Sequence, residues 1–155
     1  MDKNISYRRA EVADIEQIKE ILFSALKEYE IAIPDNYSVS DIDNLHIDNY
    51  RGGVFILLRE KRVVGFIVIR PITEDCLELK RLYLTSSERG KGLGLFLLNQ
   101  AIDYAKKNDY KSIRLETSSK FREAVSLYKK HGFFELLEVE KEPGHDLALE
   151  KIIKI

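Results

Sequence analysis

The spacing of apolar positions divides this chain into short strands and amphipathic helices. Ile5 and Tyr7 mark a strand candidate that ends at Arg8 and Arg9. From Glu11 to Tyr29 the residues Val12, Ile15, Ile18, Leu22, Leu26 and Tyr29 keep one helical face apolar, which predicts a helix. Pro34, Asp35 and Asn36 break that pattern. A weaker helix is expected from about Val39 to Asp48, with Ser38 or Ser40 as its cap and Ile42 and Leu45 facing inward. Gly52 and Gly53 precede two apolar runs, VFILLRE and VVGFIVIRPI, which are separated by Lys61 and Arg62 and predict an antiparallel hairpin. Pro71 falls near the end of its second strand.

The next stretch, Cys76 to Leu84, is apolar enough for a largely buried strand. Thr85 to Glu88 is loop-like, and Leu98, Ala101, Ile102 and Ala105 then repeat at helical spacing until Asn108 and Asp109. Ser112 to Glu116 predicts a short strand, Thr117 to Lys120 a polar loop, and Phe121 to His131 a helix stopped by Gly132. Phe133 to Val139 and Asp146 to Ile155 are expected as the last two strands, turned around Pro143-Gly144. This order implies an α/β (α+β) fold: a mixed central sheet with helices on both faces.

Composition adds bounds to that picture. At 155 residues the chain has single-domain size, and its 45% hydrophobic and 33% charged residues are those of an ordinary globular protein. A net charge of −1 gives no electrostatic case for nucleic acid. No apolar run approaches the roughly 20 residues of a membrane span, and MDKNISYRRAE lacks the apolar core of a secretion signal. Cys76 is the sole cysteine, so no internal disulfide forms, in keeping with a reducing cytoplasm. Cys76 has no adjacent base, and His46, His131 and His145 are scattered, so neither a thiol nucleophile nor a metal is expected.

The chemistry concentrates where the long apolar strand meets its helix. Arg89, Gly90, Lys91, Gly92, Leu93 and Gly94 stand just before the helical repeat. Glycines there let the unpaired first-turn N–H groups approach a ligand without a Cβ in the way, which is an anion site and most naturally a phosphate site. A Walker A loop is excluded because Thr85 and Gly92 stand where it needs Gly and Ser or Thr. A dinucleotide fingerprint fails because its third small residue would be Leu95 or Leu97. On spacing alone, a turn whose glycines serve only close packing competes with the ligand loop.

Arg89-x-x-Gly92-x-Gly94, between a strand and a helix, resembles the coenzyme A pyrophosphate loop of the GNAT superfamily of N-acetyltransferases. Glu78 to Leu84 is similar to that family's central strand, and Ala124 to Phe133, with Leu127-Tyr128 and Gly132-Phe133, to its later helix. Three motifs in order cover roughly the second half of the chain. The resemblance implies one GNAT domain over residues 1–155, with a mostly antiparallel sheet. It implies transfer of an acetyl group from acetyl-CoA to an amine through a ternary complex, with no covalent intermediate and no metal. It further implies a small-molecule or peptide amine as acceptor and a homodimer as a common family arrangement, while the charge balance and the apolar runs lead to no nucleic-acid or membrane partner being expected. An acyl-CoA-binding sensor or interaction module without transfer activity is the alternative, and an unrelated phosphate-binding protein a third.

An alkyl amine with a pKa near 10.4 is free base in only about one molecule in two thousand at pH 7, roughly 4.6 kcal/mol uphill. The resemblance makes Glu78 the carboxylate that takes this proton, directly or through water, and the nearby cations Lys80 and Arg81 argue for the water relay. A surface glutamate paired with one of those cations is the alternative. Tyr128 falls where the family's general acid sits, able to protonate or hold the departing thiolate, unless it is only a core tyrosine. Main-chain groups near Leu82, Tyr83 and Leu84 would bind the thioester oxygen and the pantetheine arm. Amides from Arg89 to Gly94, with the Arg89 and Lys91 side chains, would hold the pyrophosphate. Family members often carry Asn where this chain has Phe121; Ser118, Ser119 or Lys120 would replace its pantetheine contact. Tyr29, Tyr37, His46 and Tyr50 are candidate acceptor contacts, and no motif identifies the acceptor.

Overall fold

The computed structural model describes residues 2–45 and 52–154. Its elements run β1 (Ile5–Arg9), α1 (Ile15–Glu28), α2 (Ser40–Asp43), β2 (Gly53–Arg59), β3 (Arg62–Pro71), β4 (Cys76–Leu84), α3 (Leu93–Lys107), β5 (Ser112–Thr117), α4 (Arg122–Lys130), β6 (Phe134–Glu135) and β7 (Leu147–Ile152). Short 3-10 turns at Val12–Asp14 and Ser86–Glu88 lead toward α1 and α3. The strands form one sheet in the order β1-β2-β3-β4-β5-β7-β6. Every pairing is antiparallel except β4 with β5, which gives the mixed, mostly antiparallel sheet expected.

Two apolar layers cover the sheet because strand residues alternate between its faces. On one face Leu97, Leu98 and Ala101 of α3 and Tyr128 of α4 pack on Ile67, Leu77, Leu79 and Ile113. On the other, Ile18, Leu22 and Leu26 of α1 and Ile42 of α2 pack on Ile56, Phe66 and Val68. Helix α1 starts later than its apolar pattern suggested, because Glu11 and Asp14 form a reciprocal capping box around the preceding 3-10 turn.

Two expectations are corrected. Among the described residues the helix expected from about Val39 spans only Ser40–Asp43; neither serine caps it through its side chain, and Ser38 Oγ instead accepts from the Ser40 amide at 3.2 Å. The strand expected over Phe133–Val139 pairs only at Phe134–Glu135. The chain leaves the sheet there, with Leu137 74% exposed and Glu138 at φ 60°, and the following loop crosses toward β5.

Candidate active site

Among the described residues the sheet opens at its one parallel junction. Strands β4 and β5 are in register at Cys76–Ser112, Leu77–Ile113 and Glu78–Arg114 and no further, although β4 continues to Leu84 and β5 to Thr117. Beyond that register the edge of β4 that faces β5 has no strand partner among the described residues, which leaves main-chain groups for a ligand. A bulge fixes which side chains look into this split. Val68 pairs with Arg81 and Ile69 with Leu79, so Lys80 is an extra residue in β4. Strict alternation would set Arg81 on the opposite face from Glu78. With the extra residue, Glu78, Arg81 and Tyr83 share the α1 side, while Leu79, Leu82 and Leu84 pack on the α3 side.

On the α1 side lies a cavity of about 390 Å³ whose lining includes Glu78, Lys80, Arg81, Tyr37, Glu116 and His145. Glu78 is held by Arg70 Nε, its directly opposite neighbour on β3. The pairing foreseen with Lys80 or Arg81 is thus replaced by a cross-strand ion pair. Arg81 is buried and committed elsewhere: it donates to both carboxylate oxygens of Asp41, at 2.8 and 3.1 Å, to the Tyr37 hydroxyl at 2.7 Å and to the Ser38 carbonyl at 2.9 Å. These contacts raise its pKa against the opposing effect of burial. The pair ties α2 to β4 and builds the cavity wall. Tyr37 reaches the cavity, whereas Tyr29 is taken up by Glu123, Phe121 and Arg89. His46 and Tyr50 lie outside the described residues.

Tyr128 sits at the deep end of the split, 5% exposed, in a crevice formed by Leu79–Tyr83 of β4 and Leu115–Thr117 of β5. Burial pushes its phenol well above the ordinary value, with nearby Tyr83 adding to the effect, so it stays protonated. A phenol in that state donates a hydrogen bond to an anion. Crevice and cavity share Lys80, Arg81, Tyr83, Glu116, Thr117 and Phe121, which makes them two sides of one opening.

At the entrance of α3, Gly90 (φ 76°) and Gly92 (φ 81°) adopt the left-handed conformation, and a Cβ on either would meet nothing within 4 Å. The amides of Gly92, Leu93, Gly94 and Leu95 donate to no protein acceptor among the described residues. Open space and a row of unused donors fit a phosphate group. A Cβ on Gly94 would stand 3.6 Å from Leu127 and 3.8 Å from Leu84, so the loop lies against both walls of the split. The neighbouring cations are paired within the protein: Arg89 with Glu28 and over the Tyr29 ring, and Lys91 with Glu88 at 3.3 Å. Each would have to exchange that carboxylate for a ligand anion.

Ser119 is also engaged, its amide and hydroxyl both donating to Asp146 at 2.7 and 2.6 Å. Ser118 Oγ accepts from the Lys120 amide, and Lys120 Nζ donates to the Glu30 carbonyl. Phe121 packs against Tyr29 and Tyr83, bridging α1 and β4 across the mouth of the split. Burial raises the Cys76 thiol, which makes it a poor nucleophile. No cluster that could hold a metal occurs among the described residues.

A split sheet beside an amide-lined helix entrance can seat a phosphate-bearing ligand with its far end in the split, and comparison with known proteins says which class of protein this is. The model of the acetyltransferase (GNAT) family matches residues 15–133. The uncharacterized N-acetyltransferase YjgM of Escherichia coli is 31% identical over 133 residues, 81% of this chain and 80% of its own. A GNAT-family acetyltransferase of Staphylococcus aureus superposes with a TM-score of 0.88 at 21% identity, over 97% of this chain and 99% of that one. The PaiA N-acetyltransferase of Thermoplasma acidophilum, solved with coenzyme A, superposes at 0.75 and 22% identity over 98% and 99%. The chain belongs to the GNAT family and is an acetyl-CoA-dependent N-acetyltransferase by class.

Proposed function

We propose that this protein moves an acetyl group from acetyl-CoA directly to the primary amine of a small-molecule or peptide acceptor. The observation that carries this reading is the opening between β4 and β5, which has Glu78 on its cavity side and Tyr128 in its crevice. In this reading the pyrophosphate rests on the free amides at Gly92–Leu95, with Arg89 and Lys91 turning from their carboxylates to add charge. The pantetheine arm follows the unpaired edge of β4, and an amide near Leu82 to Leu84 polarises the thioester oxygen. Ser119 and its neighbours, all engaged in the protein, leave this arm to the main chain and to Phe121.

The amine enters from the α1 side, where Glu78, its charge balanced by Arg70, holds the ammonium and passes its proton to water or to a neighbouring base. Attack on the carbonyl carbon forms the C–N bond, and the tetrahedral intermediate collapses with cleavage of C–S. Tyr128 steadies the departing sulfur by donating a hydrogen bond. A phenol held above its ordinary pKa is a weaker acid than a thiol, so it serves as a hydrogen-bond donor more readily than as the final proton source. Its proton is retained while the proton shed by nitrogen restores the thiol.

A thiol-release screen with acetyl-CoA against alkylamines, amino acids, aminoglycosides and peptides tests this reading. Amine-dependent release of coenzyme A, accompanied by the N-acetylated product, supports it. Tight coenzyme A binding with no release against any amine would instead support the sensor module. We infer a single GNAT domain and a cytoplasmic setting, with which the lone Cys76 is in keeping.

A further inference from the structure

The β5 side of the opening carries a pair of groups that the reading above does not use. Glu116 stands on the same face of β5 as Arg114, the register partner of Glu78, and so faces the acceptor cavity. Its Oε1 lies 3.2 Å from His145 Nδ1 and accepts from the Glu142 amide at 2.8 Å. The loop carrying His145 is fixed on both sides. Beyond the histidine, the Asp146 amide donates to the Thr117 carbonyl at 3.2 Å and the Asp146 carboxylate takes both Ser119 donors. Before it, the Glu142 amide is held by Glu116. An imidazole on an otherwise exposed loop is thereby set against the cavity.

A carboxylate on Nδ1 selects the tautomer with the proton there and leaves the Nε2 lone pair free. This is the arrangement of a general base oriented by a third group. Across the cavity, Glu78 already has one oxygen committed to Arg70. Carboxylates ordinarily titrate about six units below an alkylammonium and imidazoles about four, so an imidazole takes the proton roughly 100-fold more readily. The charged groups around His145 are Glu116 on β5, Glu142 and Asp146 in its own loop, Glu78, Lys80 and Arg81 on β4, and Arg70 on β3.

We propose that His145, oriented by Glu116, is the base that takes the acceptor's proton, and that Glu78 holds the ammonium while it does so. The step rests on the transferase reading. One proton passes from R–NH3+ to Nε2 and then to solvent, leaving the amine lone pair to form the C–N bond. The second leaves nitrogen as the intermediate collapses and balances the protonation of the departing thiolate.

The test compares alkylamines, which are ammonium ions at neutral pH, with arylamines, which are free bases there, using thiol release from acetyl-CoA. His145→Gln is expected to lower kcat for alkylamines about 100-fold or more at neutral pH, and to lower arylamine turnover by a much smaller factor. Imidazole added to His145→Ala should restore part of the alkylamine rate. Equal loss for both amine classes, or alkylamine turnover within threefold of wild type, overturns the proposal. Nitrogen NMR of the free protein gives a reading independent of any acceptor: a proton on Nδ1 with bare Nε2 supports the assignment, and a proton resting on Nε2 contradicts it. Wild-type protein inactive toward every amine would overturn the transferase reading itself, whatever tautomer is found.

Discussion

Tyr128 shows how one side chain can be packed and still available. Its ring belongs to the α3-side core and lies 5.7 Å from the Phe133 ring, while its hydroxyl makes no hydrogen bond to the protein among the described residues. Removing that oxygen costs the fold little, because no partner is stranded. Tyr128→Phe should therefore leave the unfolding free energy within about 1 kcal/mol of wild type and lower kcat by roughly 10- to 100-fold. A thermal melt and the thiol-release assay on the same preparation separate the two effects. Asp41 behaves in the opposite way. It compensates a buried guanidinium, so Asp41→Ala leaves Arg81 without its counter-charge and should cost about 3 kcal/mol in urea unfolding. A loss under about 1 kcal/mol would mean that solvent reaches the arginine and that the cavity wall is looser than described.

At the scale of elements, the turn before α3 is anchored by acid chemistry. Arg59 on β2 donates to both oxygens of Glu88, at 2.7 and 2.9 Å, and together with Lys91 it lowers the Glu88 carboxyl to about 2 from 4.5. A carboxylate whose pKa is depressed by folding contributes fully above its unfolded value and loses that contribution as pH falls through its folded value. Glu88→Gln should thus be destabilising at neutral pH, and its gap from wild type should narrow as pH drops from about 4.5 toward about 2. Denaturant midpoints measured across that range check it; a gap that stays constant would show that Arg59 does not depend on the charge. The glycine loop and the helix behind it were legible in the sequence, since both are local: residues 89–94 are consecutive and the apolar repeat of α3 is its own evidence. The bulge at Lys80 was not, because an extra residue in β4 exists only relative to the register of β3. For the same reason the sequence offers Glu78 only neighbours from its own strand, whereas its partner Arg70 comes from across the hairpin. The short β6 is hidden by an apolar run, Phe133 to Val139, that leaves the sheet after Glu135.

For the whole molecule, the proposed function rests on the split between β4 and β5. Residues from α2, β3, β4, β5 and the β6–β7 loop converge on the gap, and the pairing of His145 with Glu116 spans 29 positions of sequence that no local pattern connects. In the proposed reading a diphosphate would lie at the helical entrance at Gly92, whose turn packs near Leu84 and Leu127. Calorimetric titration of coenzyme A into wild-type protein and Gly92→Val tests the account most directly. A valine there faces open space in the protein but cannot easily hold φ 81°, and its side chain would fill the room that the phosphate needs. The predicted result is saturable binding to wild type, loss of at least 10-fold in affinity for the variant, and circular dichroism unchanged between them. Equal affinity for coenzyme A in the two proteins would contradict it.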